Sequence, residues 1–171
     1  MVQTARPDGP DTDGSWSAVS SSTLWQATSD QSDSSYAALS SFTLDDEFIV
    51  TIDSLTDPDD HTGHTITMRA AIDQSSQSFT LTLYEGTTAR KTDTHTVSSS
   101  AFSDFTTTLT EGEAEAIGNY ANLKIGVTAT FQGFGEPQVA ELSFEVPDAG
   151  GGGGGGDVED PTNPEAFLMF L

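Results

Sequence analysis

The chain has 171 residues, no cysteine, and 27 acidic against 5 basic side chains, which gives a formal net charge of −22. This length suits one sizeable domain, and a chain without cysteine has neither disulfides nor thiolate metal ligands. The acidity argues against DNA, RNA and anionic membranes as partners, because phosphate binding requires a basic surface. There is no apolar segment near the N-terminus and no run of about 18 apolar residues, so we expect no signal peptide and no membrane span.

The charge also indicates the solvent in which the chain folds. The sequence has ten Phe and two Trp, whereas disordered acidic chains are poor in such residues. In molar salt the Debye length falls to about 3 Å, which screens the repulsion between surface charges. The composition is typical of proteins from extreme halophiles. The alternative is an acidic mesophilic protein that binds calcium or a basic partner.

Alternation of apolar and polar residues with period two predicts about eight or nine β-strands. In chain order we expect strands at residues 16–19, 36–42, 48–52, 65–72, 79–84, 89–97, 105–109, 123–131 and 142–146. Between the strands at 105–109 and 123–131, residues 110–119 are predicted to form a short helix. Thr110 is its N-cap, Glu113 completes a capping box, and Gly118-Asn119 ends it. The predicted fold is all-β, a two-sheet antiparallel sandwich of jelly-roll type with one short crossover helix.

The composition divides the chain into four parts. We expect an N-terminal arm at residues 1–14, the sandwich at 15–147, a glycine-rich acidic linker at 148–164, and an apolar peptide at 165–171. A run of seven glycines, 150–156, behaves as a flexible tether. The five apolar residues that follow are unfavourable to expose, so we predict that they dock on a partner: Phe167, Leu168, Met169, Phe170 and Leu171.

No catalytic motif is evident, and we expect a protein that is not an enzyme and has no cofactor. The three histidines, His61, His64 and His95, fall in predicted loops or at strand ends. One loop is a weak candidate for a zinc or hard-cation site, through Asp57, Asp59, Asp60, His61 and His64. A solvated acidic turn is the favoured interpretation of this loop. Residues 11–14 resemble the start of a calcium loop but lack its closing Glu. Ca²⁺, Mg²⁺ or monovalent cations at the acidic surface remain an expectation.

Four aromatic residues are candidates for a sugar-stacking platform on one sheet face: Trp16, Trp25, Tyr36 and Tyr84. The favoured alternative is that Trp16 and Trp25 fill the core beside the first strands. The run Gly133-Phe134-Gly135 is typical of a hairpin tip and not of a phosphate loop, because neither a helix nor a lysine follows it.

Two regions resemble jelly-roll domains in structural proteins of tailed viruses. The first is an early Trp, a second aromatic residue and an acidic segment ending in Tyr, here Trp16, Trp25 and residues 33–36. The second is a closing strand that ends in Glu-Val-Pro, here residues 138–147. The resemblance covers residues 15–147 and includes the strand and helix around residues 106–119. It implies a structural or adhesive role and no catalytic residue.

The sequence thus predicts a virion protein of a virus that infects an extreme halophile. It would be displayed on the capsid as a decoration or turret protein, or on the tail, and assembled in the host cytoplasm. Expected partners are copies of itself in a cyclic homo-oligomer, other virion proteins, and a host surface glycan. The alternative is a carbohydrate-binding β-sandwich module of a halophilic surface or secreted protein.

Overall fold

The computed structural model describes residues 2–40, 45–129 and 135–148, which form two antiparallel sheets packed face to face. The strands are β1 (Val2–Ala5), β2 (Pro7–Thr12), β3 (Trp16–Val19), β4 (Tyr36–Leu39), β5 (Asp46–Ile52), β6 (Thr65–Ile72), β7 (Gln77–Glu85), β8 (Thr88–Val97), β9 (Ser103–Thr108), β10 (Leu123–Ala129) and β11 (Pro137–Pro147). The helices are α1 (Leu24–Ser29) and α2 (Glu111–Glu115). No helix in this part of the chain is long and apolar enough to cross a membrane.

The strands alternate between the two sheets along much of the chain. One sheet has six strands in the order β3-β4-β11-β6-β9, with β1 also paired to β11, and the other has five in the order β2-β5-β10-β7-β8. Helix α2 lies between β9 of the first sheet and β10 of the second. The predicted antiparallel sandwich with a short crossover helix is confirmed.

Period-two alternation in the sequence corresponds to the buried face of each strand. In β7 the alternate residues Phe79, Leu81 and Leu83 are fully buried, as are Phe48 of β5 and Phe144 of β11. These rings come from both sheets and meet in one core cluster. Truncating any of them to Ala would cost about 3–5 kcal/mol, because the remaining cavity loses its packing contacts.

The predicted N-terminal arm is wrong, because residues 2–12 are part of the sandwich. Val2 to Ala5 pair with the end of β11 in the six-stranded sheet. After Arg6 the chain crosses to the five-stranded sheet, where Pro7 to Thr12 pair with β5 with two register shifts. This edge strand was not predicted from the sequence because it contains prolines at residues 7 and 10, and proline normally argues against a strand.

Three further elements differ from the sequence prediction. Helix α1 is not predicted from the sequence because it is only six residues long. Its N-cap is the side chain of Thr23. Helix α2 has the predicted capping box of Thr110 and Glu113 but already ends at the C-cap Ala116. Strand β11 begins at Pro137 and is longer than predicted, because a bulge between Val139 and Glu141 breaks the alternation.

All five basic side chains of the protein form ion pairs. The pairs are Arg6–Glu141, Arg69–Asp33, Arg69–Asp104, Arg90–Glu85, Lys91–Glu113 and Lys124–Asp11, with N–O distances of 2.5–3.1 Å. Surface pairs of this kind contribute about 0–1 kcal/mol each. Most of the acidic side chains in the described residues therefore have no Lys or Arg partner in an ion pair.

Strand β11 connects the sandwich to the C-terminal part of the sequence. It lies inside the six-stranded sheet, with β6 on one side and β1 and β4 on the other. Its last residue, Pro147, is paired with Val2. Residues 149–171, which hold nearly all of the predicted linker and the docking peptide, lie outside the described residues, as do residues 133–134 of the predicted hairpin tip.

Candidate binding face

The structure does not assemble the candidate metal ligands into a site. Asp57, Asp59 and Asp60 are exposed on the loop between β5 and β6, whereas His64 is completely buried in the core. Among the described residues, no group of three or more His, Asp or Glu side chains is placed to hold a metal ion. In the calcium-like segment, Asp11 instead pairs with Lys124 at 3.1 Å.

His64 has a structural environment that its loop position in the sequence does not reveal. Its Nε2 lies 2.8 Å from the hydroxyl of Tyr120, and its ring is 5.9 Å from that of Phe144. Burial lowers the pKa of His64 despite the hydrogen bond with the Thr62 carbonyl, which opposes that shift. Burial also raises the pKa of Tyr120 to about 12, so both groups are neutral near pH 7.

Protonation of His64 predicts a loss of stability in mild acid. The unfolded histidine has a pKa of about 6.5, and because the folded value is lower, the unfolded state binds more protons below that pH. We expect the free energy of unfolding to fall between about pH 7 and pH 5 in about 3 M KCl. Urea titrations of the wild type and of His64→Gln measure this slope, which the variant should reduce.

The exposed Thr96 of β8 provides the control. Thr96→Ser should keep the wild-type slope, because it changes no titratable group. An unchanged slope in His64→Gln would contradict the role assigned to His64.

His95 corrects the expectation that the histidines lie in loops or at strand ends. It lies within β8, and its Nε2 is 2.8 Å from the hydroxyl of Thr107 on β9. That hydroxyl donates to Asp93 at 3.2 Å, so it accepts a hydrogen from His95. This chain of hydrogen bonds connects edge strands of the two sheets.

The four candidate aromatic residues do not share a face. Trp16 is buried against Phe48 and Trp25 packs against the core, as the favoured alternative predicted. Tyr36 belongs to the six-stranded sheet, where its ring lies 5.8 Å from that of Phe102. Tyr84 belongs to the five-stranded sheet. A single four-residue platform is therefore excluded.

Tyr84 is the centre of a polar surface on the outside of the five-stranded sheet. Its hydroxyl donates to Oε1 of Glu47 at 2.8 Å, across the intervening strand β10. The residue between them is Gly126, where an added Cβ would lie 2.5 Å from Glu47 Oε1 and 2.8 Å from Tyr84 Cε2. A side chain at this position is incompatible with the contact, and the Tyr84 ring covers the glycine.

Threonine hydroxyls continue this surface towards the edge of the sheet. The hydroxyls of the buried Thr82 on β7 and the exposed Thr92 on β8 face each other at 3.3 Å, beside Gly126 in the register. We call the surface formed by Tyr84, Glu47, Gly126, Thr82 and Thr92 the Tyr84 face. It combines an aromatic ring, a carboxylate and hydroxyl groups.

Electrostatics within the Tyr84 face keep its phenol protonated. Burial raises the pKa of Tyr84, and the neighbouring carboxylate of Glu47 raises it further, against a hydrogen bond with Thr82. Both Tyr84 and Glu47 remain half-exposed. The second oxygen of Glu47, Oε2, has no hydrogen-bond partner in the part of the chain that the structure describes.

The sequence indicated only one member of the Tyr84 face. Tyr84 was a candidate aromatic, but Glu47 and Gly126 are more than 35 residues away from it along the chain. Gly126 interrupts an otherwise strong strand pattern, and a glycine inside a strand often marks a close approach of other groups. That signal does not say which groups approach.

No protein-family model and no curated protein matches the chain. Three solved structures are similar in backbone. The CBM36-1 domain of a multidomain xylanase from the hindgut metagenome of Trinervitermes trinervoides has a TM-score of 0.48 and 12% identity, over 84% of this chain and 96% of that one. The Agl-KA catalytic domain scores 0.46 at 13% identity, over 86% of this chain and 27% of that one. TmCBM61, solved with β-1,4-galactotriose, scores 0.40 at 9% identity, over 86% of this chain and 88% of that one. At these scores the similarities assign neither a family nor a ligand.

Proposed function

We propose that the protein is a structural module displayed on the virion of a tailed virus that infects an extreme halophile. The observation that carries this proposal is the position of β11, the strand that leads into the glycine-rich segment. It is hydrogen-bonded on both sides within the six-stranded sheet. A pull on the tether is therefore borne by an interior strand, which suits a domain attached through its C-terminal segment.

The surface supports the same proposal. The ion pairing of all five basic side chains and the net charge of −22 give a strongly acidic exterior. Such an exterior stays soluble in molar salt and repels polyanions. A cyclic homo-oligomer, with capsid or tail proteins as partners, fits attachment to a symmetric particle.

Purified particles from a halophilic host that carries this gene test the proposal. Mass spectrometry should detect the chain in particles banded by density, at a constant ratio to the major capsid protein. Sedimentation of the isolated protein in about 3 M salt should show a species larger than 18.0 kDa. Absence of the protein from washed particles would contradict the virion role.

A carbohydrate-binding module is the second candidate function, and the Tyr84 face is the observation that favours it. Carbohydrates are bound by aromatic rings that stack on their C–H surfaces and by side chains that pair with their hydroxyls. The isolated sandwich should bind to an array of surface glycans in about 3 M KCl. This function is compatible with display on a particle, where it would contact the host surface.

A further inference from the structure

We propose that the Tyr84 face is the glycan-binding site and that its ligand is a neutral, uncharged oligosaccharide. The Tyr84 ring stacks on a sugar, while Glu47 Oε2 and the hydroxyl of Thr92 bond to sugar hydroxyls. This inference rests on the carbohydrate-binding candidate above and adds to it the residues and the class of sugar.

The first argument is preorganisation of the Tyr84 face. An exposed tyrosine normally samples several rotamers, and fixing a side chain on binding costs about 0.5–1.5 kcal/mol. Here the bond to Glu47 at 2.8 Å and the contact over Gly126 already fix the ring before a ligand arrives. The ring is anchored through its hydroxyl and one flank, and its half-exposed remainder is available for stacking.

The second argument is the charge of the Tyr84 face. Its charged group is a carboxylate, which accepts hydrogen bonds from hydroxyls and repels carboxylates and sulfates. Lys124, the basic residue next to Tyr84 in the register, already forms an ion pair with Asp11, with an N–O distance of 3.1 Å. The face therefore complements the hydroxyl donors of a neutral sugar and not an acidic glycan.

The third argument is the solvent that the composition indicates. Molar salt screens ionic attraction over distances beyond about 3 Å, which weakens recognition by charge. Stacking and direct hydrogen bonds act at contact, and salts excluded from apolar surface strengthen the burial of a ring. The Tyr84 face uses the interactions that persist in such a solvent.

The test compares variants of the full chain on immobilised neutral oligosaccharides of glucose, xylose, galactose and mannose, with oligogalacturonate as the anionic comparison. In about 3 M KCl, Tyr84→Ala should weaken binding by about ten-fold or more, which corresponds to about 1.4 kcal/mol. Gly126→Ala should weaken it similarly, because the new Cβ displaces both Glu47 and Tyr84. Tyr36→Ala, on the other sheet, is the matched control and should bind as the wild type does.

Thermal melting of each variant establishes that it is folded, and Tyr84→Leu, which removes the ring but keeps an apolar side chain, serves if Tyr84→Ala does not fold and should weaken binding in the same way. Loss of binding in the Tyr84 and Gly126 variants with an unchanged Tyr36 control supports the inference. Wild-type binding that survives Tyr84→Ala overturns the site but leaves the carbohydrate-binding function. Preference for oligogalacturonate overturns the ligand class. A wild type that retains none of these sugars overturns both the site and the carbohydrate-binding function, without bearing on display in a particle.

Discussion

Transfer from about 3 M to about 0.1 M KCl should lower the melting temperature of the protein by about 10–20 °C or unfold it. The 27 acidic side chains face only 5 basic ones, and those five already form ion pairs. Removing salt thus exposes repulsion that no further internal pairing with Lys or Arg can relieve. A penalty of about 5 kcal/mol, a large part of the stability of a typical domain, produces a shift of this size.

Circular dichroism melts over a KCl series measure this effect, and sucrose provides the control. Sucrose stabilises proteins because it is excluded from their surface, but it does not screen charge. Folding should therefore require KCl and recover little in sucrose of equal osmolality. A melting temperature that is unchanged across the KCl series would contradict the halophilic interpretation of the composition.

Deletion of residues 165–171 should leave the sandwich folded and abolish its incorporation into a particle or oligomer. The deleted segment ends in five apolar side chains, Phe167 to Leu171. Burying these five side chains on a partner would contribute about 7–15 kcal/mol before ordering costs, at about 1.5–3 kcal/mol each. A stretch of the length of 148–166 would span at most roughly 60 Å if extended and would average about 25 Å if flexible, which would suffice to reach a neighbouring subunit.

A matched variant that deletes Gly151–Gly153 instead keeps the apolar peptide and shortens only the tether. It should still be incorporated, because the remaining linker is long enough for a neighbouring subunit. Sedimentation of the isolated chain and particle association in infected cells give the two readouts. Normal assembly of the chain truncated at residue 164 would reject the docking role of the peptide.

Much of the architecture could be predicted from local patterns. The strands around Phe48, Phe79 and Phe144 have buried faces of period two, since alternate side chains of a strand point to opposite sides of a sheet. The capping box of Thr110 and Glu113 was equally local, because its partners are three residues apart. Strand β2 was missed because pairing with β5 overrides the local signal of its prolines.

The candidate site shows where local patterns no longer suffice. The net charge, the absence of cysteine, the run of seven glycines and the apolar residues 167–171 follow from composition and order alone. The burial of His64 against Tyr120 and the placement of Tyr84 beside Glu47 depend on strand register. Register is decided by pairings between residues far apart in the chain. The sequence therefore indicated Tyr84 as an aromatic candidate, whereas only the folded sheet places Glu47 at its hydroxyl, across Gly126.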